Sequence, residues 1–312
     1  MWKQKLLGVN CSLKEKKQRE LWLDVAKACC IILVILNHMH LQIPLVTFFG
    51  GMFYMPLFFV AAGYTYRNKG IGMKEYALDK AKRLLIPYFV CNILLVAFFT
   101  MRNGGISKTA LLGIFYSRSM LMRNGNEWNM GLMNALNAPT WFLTCLFLCY
   151  CIYYFIDTKF TGDKKRRIVL MIVMAVGVVI RKVSPVLMPW SIENALFFTG
   201  WLEVGRYLRE KGLAWLRSHE WIYANLFMGF VALAYLGGSV NVSISEYGNS
   251  MILYFFTGAL GSVLCMKMGE LFEKYLKILA KPLAFVGRHT LPILCWHLLV
   301  IEMIKKVLAV IG

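Results

Sequence analysis

Apolar runs of about 17 to 25 residues recur from one end of this 312-residue chain to the other. Each is long enough to cross a hydrocarbon layer roughly 30 Å thick at 1.5 Å per residue. Because the runs are continuous rather than alternating with period two, helices that satisfy their own backbone fit them better than barrel strands. Composition agrees: 59% of residues are hydrophobic and 16% charged, against roughly 45–50% and about 25% in soluble domains. The expected fold is all-α, a polytopic transmembrane helix bundle of about nine to ten spans.

Nine spans are expected at about 21–41, 47–66, 84–101, 139–156, 168–183, 190–208, 221–237, 249–267 and 284–304. Residues 1–20 are polar and basic, and the first apolar run is too long for a cleaved leader, so 1–20 reads as a tail and 21–312 as one membrane domain. The net charge of +19 does not indicate nucleic acid, because the cations sit in short clusters between apolar runs. Segments 1–20, 67–83, 157–167, 206–220 and 267–282 hold 25 Lys and Arg, and the alternate segments hold 8. That bias predicts a cytoplasmic amino terminus.

Two stretches between spans stand out. The loop from Arg102 to Ala138 is long, and its TALLGIFYSRSMLM portion suits a surface helix or a short extra span. In 270–282, Leu271, Phe272, Tyr275, Leu276 and Leu279 recur at helical spacing, which predicts an amphipathic helix on the membrane surface. The nine cysteines lack zinc-site spacing and read as small buried hydrophobes, so no metal is expected. No internal repeat or matched pair of broken helices is visible.

The first run, KACCIILVILNH, carries a lysine and an imidazole at its ends. Lys27 and His38 are eleven residues apart, only about 20° beyond three helical turns, so they share a face at depths roughly 16 Å apart. Asp24 lies on the same side, while His40 projects about 200° away from His38. Titratable groups at membrane depth cost roughly 2.5–3.5 kcal/mol each unless they face protein or water, so this face is expected to line a cavity. An imidazole there suits a general base, and the lysine suits an anionic cosubstrate. A plainer alternative is an Asp24–Lys27 pair with snorkelling, and a single hydrogen bond for His38.

The same helix, RELWLDVAKACCIILVILNH, resembles the opening pattern of the acyltransferase-3 membrane protein family, with Lys27 and His38 in the family's basic and histidine places. FYMPLFFVAAGYTYR, KAKRLLIPYF, APTWFLTCLF and VGRHTLPILCWH resemble its later segments. Lys80 and Arg83 fill its Arg-x-x-Arg places, and His289 stands where Asn is usual. The resemblance is nearest the branch similar to fucose 4-O-acetylases.

It implies transfer of an acetyl or other acyl group from cytoplasmic acyl-CoA to a hydroxyl of a surface glycan or lipid-linked sugar, in the bacterial cytoplasmic membrane. In that frame His38 is the general base or, alternatively, a nucleophile. Lys27, Lys80, Lys82 and Arg83 are candidates for the acyl-CoA phosphates, and Lys74 joins their cluster, which also fits a plain topology signal. Asp24, Trp141, Glu193 and His297 are candidates around the acceptor, with Trp141 also suited to an interfacial belt. Glu203 is expected to pair with Arg206, and His219 to be solvated. Transport of a glycan precursor is the rival function, and a structural subunit a third.

Overall fold

The computed structural model describes residues 20–41, 43–103, 105, 108–121 and 137–311. Twelve α-helices account for most of them: α1 (Leu21–His38), α2 (Gly51–Thr65), α3 (Met73–Asn103), α4 (Lys108–Tyr116), α5 (Trp141–Lys159), α6 (Asp163–Val183), α7 (Ile192–Tyr207), α8 (Leu213–Ser218), α9 (Ile222–Gly237), α10 (Met251–Tyr275), α11 (Lys277–Arg288) and α12 (Thr290–Ile311). No strand occurs among the described residues; a lone bridge joins Asn241 to Glu246. The expected tail lies outside the described residues except for Glu20.

Among the described residues five segments are long and apolar enough to cross a membrane: Leu21–His38, Val46–Thr65, Met73–Met101, Ala138–Lys159 and Met251–Tyr275. Their outward faces carry large apolar side chains, such as Ile86, Val90, Ile93 and Leu94 on α3, a surface suited to lipid rather than water. The chain is an all-helical, multi-pass membrane protein.

At the centre, α2 packs between α10 and α7; α1 packs between α10 and α11; α5 joins α7 to α3. Gly205 of α7 meets the Val60 carbonyl of α2 so closely that a Cβ would overlap it. Small residues of this kind bring membrane helices to backbone contact where lipid supplies no hydrophobic drive. Around that seam Phe59, Phe198 and Trp201 form a buried aromatic stack, with Phe198 and Trp201 centroids 4.6 Å apart.

Several expectations are corrected. The third helix starts at Met73 rather than at about 84, so the cluster from Lys74 to Arg83 forms its first turns, where Glu75, Ala77, Leu78 and the lysines are good helix formers. Segment 270–282 is not one surface helix, because α10 ends at Tyr275 and α11 starts at Lys277. The buried face of α11 is made of Ala280, Ala284 and Gly287 against α1, while Tyr275 and Leu279 are exposed. The span at 284–304 is broken at His289, between α11 and α12. In the long loop α4 has nine residues, too short to span, and its Leu112 and Phe115 are exposed.

Glu203 does not pair with Arg206. It accepts from Arg166 Nη2 at 3.1 Å and Arg167 Nε at 3.0 Å, with Tyr153 Oη donating at 2.5 Å. Arg206 turns to Asp157 and to Glu210, the latter at 2.9 Å. Neighbouring helices thus supply partners that override the local i, i+3 pairing.

Candidate functional site

The helical periodicity of α1 sets Asp24, Lys27, Val34 and His38 along one inward side, and other helices complete the walls. Asp24 is buried, and its carboxylate accepts from Lys27 Nζ at 2.6 Å and Arg288 Nε at 3.3 Å. Arg288 reaches it because Gly287 sits directly on the Asp24 carbonyl, where any Cβ would collide. The carboxylate therefore holds two cations at one end of α1, which is the expected Asp24–Lys27 pair with a third member added.

Lys27 lines a cavity of about 230 Å³ whose walls are otherwise almost wholly apolar, among them Ile31, Phe58, Leu84, Phe142, Leu146, Tyr150 and Leu291. A second cavity, about 440 Å³, begins where this one ends, and the two share Val34, Met55 and Leu294 as a dividing septum. The second cavity is polar: His38, Asn37, His40, Thr47, Tyr54, Trp141, Asn241 and Ser243 line it. Lys27 and His38 thus face one interrupted passage from opposite ends.

Trp141 is buried on the second cavity rather than set in a lipid-facing belt. It stands at the first residue of α5, directly after the tight turn Ala138–Thr140 that Pro139 opens. His40 also lines this cavity, although projection along α1 turned it away. The helix ends at His38, and His40 has a left-handed backbone, φ 58°.

His38 Nδ1 lies 2.7 Å from the Val34 carbonyl, and His297 of α12 lies beside the ring. His297 does not line the second cavity; it backs onto an apolar groove with Ile35, Met39, Trp296 and Val300. His289, by contrast, is exposed, with Nδ1 2.8 Å from the Phe285 carbonyl.

Glu193 stands apart from the cavity. It is buried and ion-paired with Arg118, whose side chain is 0% exposed. Arg118 also donates to the carbonyls of Met188 (3.2 Å) and Ser243 (2.9 Å), and Ser245 Oγ lies 2.8 Å from Glu193 Oε1. Since Ser243 is a wall of the second cavity, Glu193 acts on it through Arg118 and the strap 240–248.

Of the α3 cations, Lys80 lies over the ring of Tyr150, 3.9 Å from its centroid, and Tyr150 is a wall of the first cavity. Arg83 pairs with Asp79 at 3.2 Å, and Lys82 and Arg83 are exposed. Residues missed from sequence are Arg288, Arg118, Tyr54 and Asn241. The signal for Arg118 was a lone arginine in a segment otherwise poor in charge. Among the described residues no cluster of His, Cys, Asp or Glu is arranged to hold a metal. The thiols of Cys30 and Cys265 are buried with Sγ atoms 3.8 Å apart.

A family model described as an acyltransferase domain, of the acyltransferase-3 type, matches residues 20–312. No curated protein and no solved structure matches the chain.

Proposed function

Because the chain belongs to the acyltransferase-3 family, we propose that it is a membrane O-acetyltransferase acting on a glycan or lipid-linked sugar, with cytoplasmic acetyl-CoA as the donor. The observation that carries this reading is the pair of cavities on one face of α1, with Lys27 in the apolar one, His38 in the polar one, and a three-residue septum between them. The reading includes nine to ten spans in a bacterial cytoplasmic membrane, a cytoplasmic amino terminus, and the branch similar to fucose 4-O-acetylases.

In this scheme the acyl-CoA phosphates meet Lys27, Arg288 and Lys80, with Lys82 and Arg83 at the mouth, while the slender thioester arm enters the apolar cavity. The acetyl end passes Val34, Met55 and Leu294 to reach the polar cavity. There the sugar is held by Trp141, Tyr54, Asn37 and Asn241, groups suited to stacking and to hydroxyl recognition. His38 takes the proton of the attacking hydroxyl as general base. Lining the path with one charged end and one titratable end is what a transfer between two aqueous phases requires.

The test is chemical. Purified protein in nanodiscs releases CoA from acetyl-CoA, and His38→Ala abolishes this without lowering the amount of folded protein. Mass spectrometry of surface glycans from cells with and without the gene then identifies the acetylated hydroxyl. Full turnover in His38→Ala refutes the mechanism, and failure to bind acetyl-CoA at all favours transport of a glycan precursor instead.

A further inference from the structure

The last helix delivers a second imidazole to the first. His297 Nε2 lies 3.4 Å from His38 Nδ1, with ring centroids 5.0 Å apart and planes at 61°. Each Nδ1 also faces backbone carbonyls: that of His38 lies 2.7 Å from Val34 O, and that of His297 lies 3.1 Å from Ile293 O and 3.0 Å from Leu294 O. A carbonyl oxygen only accepts, so both Nδ1 atoms carry the proton, and the lone pair of each neutral ring is on Nε2. The Nε2 lone pair of His297 therefore points at the Nδ1–H of His38. The same bonds leave the basic lone pair of His38 on its own Nε2.

We propose that His297 is a positioning residue for the acyl transfer inferred above, an inference that rests on that reading. It reinforces the His38 tautomer that the Val34 carbonyl sets, holds the ring, and supports the positive charge that His38 acquires during turnover. The proton balance is simple. As the acceptor oxygen attacks the thioester carbonyl, its proton moves to His38 Nε2; when the C–S bond breaks, that proton passes to the thiolate and CoA leaves as the thiol. Nδ1 keeps its proton throughout, and His297 neither gains nor loses one.

A carboxylate fills this place in serine hydrolase triads, where it orients the imidazole and stabilises the imidazolium. Among the described residues no carboxylate is hydrogen-bonded to either ring. A neutral imidazole does the orienting without placing a fixed negative charge in apolar surroundings, where one costs several kcal/mol. It also explains why a buried histidine that lines no part of the polar cavity has its lone pair directed at His38 rather than at a substrate. The contact at 3.4 Å is longer than the Val34 bond, and charge on His38 strengthens both.

The test compares His297→Leu with His297→Gln, whose side-chain oxygen can accept from His38 Nδ1–H. The readout is steady-state CoA release from acetyl-CoA, with water as the acceptor, by full-length protein in nanodiscs. The Leu variant is expected to lose about 10²-fold in kcat with the KM for acetyl-CoA changed by less than about threefold, and Gln to recover to within roughly 10-fold of the parent. A Leu variant with kcat within about threefold of the parent, or a Gln variant no better than Leu, overturns the proposal. Should Leu fail to accumulate, His297→Met against His297→Gln reads the same contrast. His38→Ala, run alongside, separates the two claims: activity there sinks the enzyme mechanism, whereas an inactive His38→Ala with an active His297→Leu sinks only the role of His297.

Discussion

Breaking the Arg118–Glu193 pair should be among the most damaging single changes in the chain, and breaking both halves far less so. The Arg118 side chain is 0% exposed and that of Glu193 3%. Arg118→Met removes the cation and also leaves the carbonyls of Met188 and Ser243 without their donor. Glu193 is then a buried carboxylate supported by Ser245 Oγ alone, its Oε2 already lacking a partner. Stranding one member of a buried pair costs about 3–5 kcal/mol, whereas replacing both by apolar groups of similar volume is often neutral. The single variant should therefore lose about 3–5 kcal/mol, and Arg118→Met combined with Glu193→Leu should regain most of it, so the double variant costs far less than the two single changes summed. At about 2 °C per kcal/mol for a chain of this size, the single change lowers the thermal midpoint by about 6–10 °C. Thermal unfolding of the four proteins in one detergent, followed by tryptophan fluorescence, measures the cycle. A single variant within about 1 kcal/mol of the parent, or additive single effects, would refute the argument that this pair is a closed, desolvated unit.

Three other outcomes follow from the passage and its supports. Lys27→Met should raise the KM for acetyl-CoA about 10-fold with kcat nearly unchanged, equivalent to about 1.4 kcal/mol of lost binding, as initial-rate kinetics will show. Leu294→Trp, which crowds the septum from α12, should cut kcat more than about 10-fold while acetyl-CoA still binds, a split that calorimetry plus turnover resolves. Gly287→Ala should cost about 1–3 kcal/mol of thermal stability by pushing α11 off the Asp24 backbone, while Gly72→Ala, whose Cβ meets nothing within 4 Å, should cost less than about 0.5.

Helical periodicity made part of the site legible in advance. Lys27 and His38 lie on one straight helix, so their shared face needed only 100° per residue to predict, and the cavities line that face. The prediction for His40 failed because the helix stops at His38, and a projection has no meaning past the last turn. Arg288 and Tyr54 reach the cavities or their supports from other helices and Arg118 from the segment that follows α4, and no local pattern reports such convergence. Glu203 shows the reverse error: its neighbour at i+3 was an adequate partner, but α5 and α6 brought three better ones. The apolar spacing in 270–282 was genuine, and Phe272 packs with the cluster around Val25 of α1, yet the closest approach to α1 is made by small residues of α11, Ala280, Ala284 and Gly287, since close backbone approach is what packs helices in a bilayer.

The septum of Val34, Met55 and Leu294 can also be considered as electrical insulation. A protein with water-accessible hollows on both sides of a membrane focuses the membrane potential across whatever separates them, at about 2.3 kcal/mol per charge per 100 mV. In the proposed scheme that separation is a layer of three apolar side chains, one each from α1, α2 and α12, too greasy for a bare ion yet open to a narrow neutral chain when a side chain rotates.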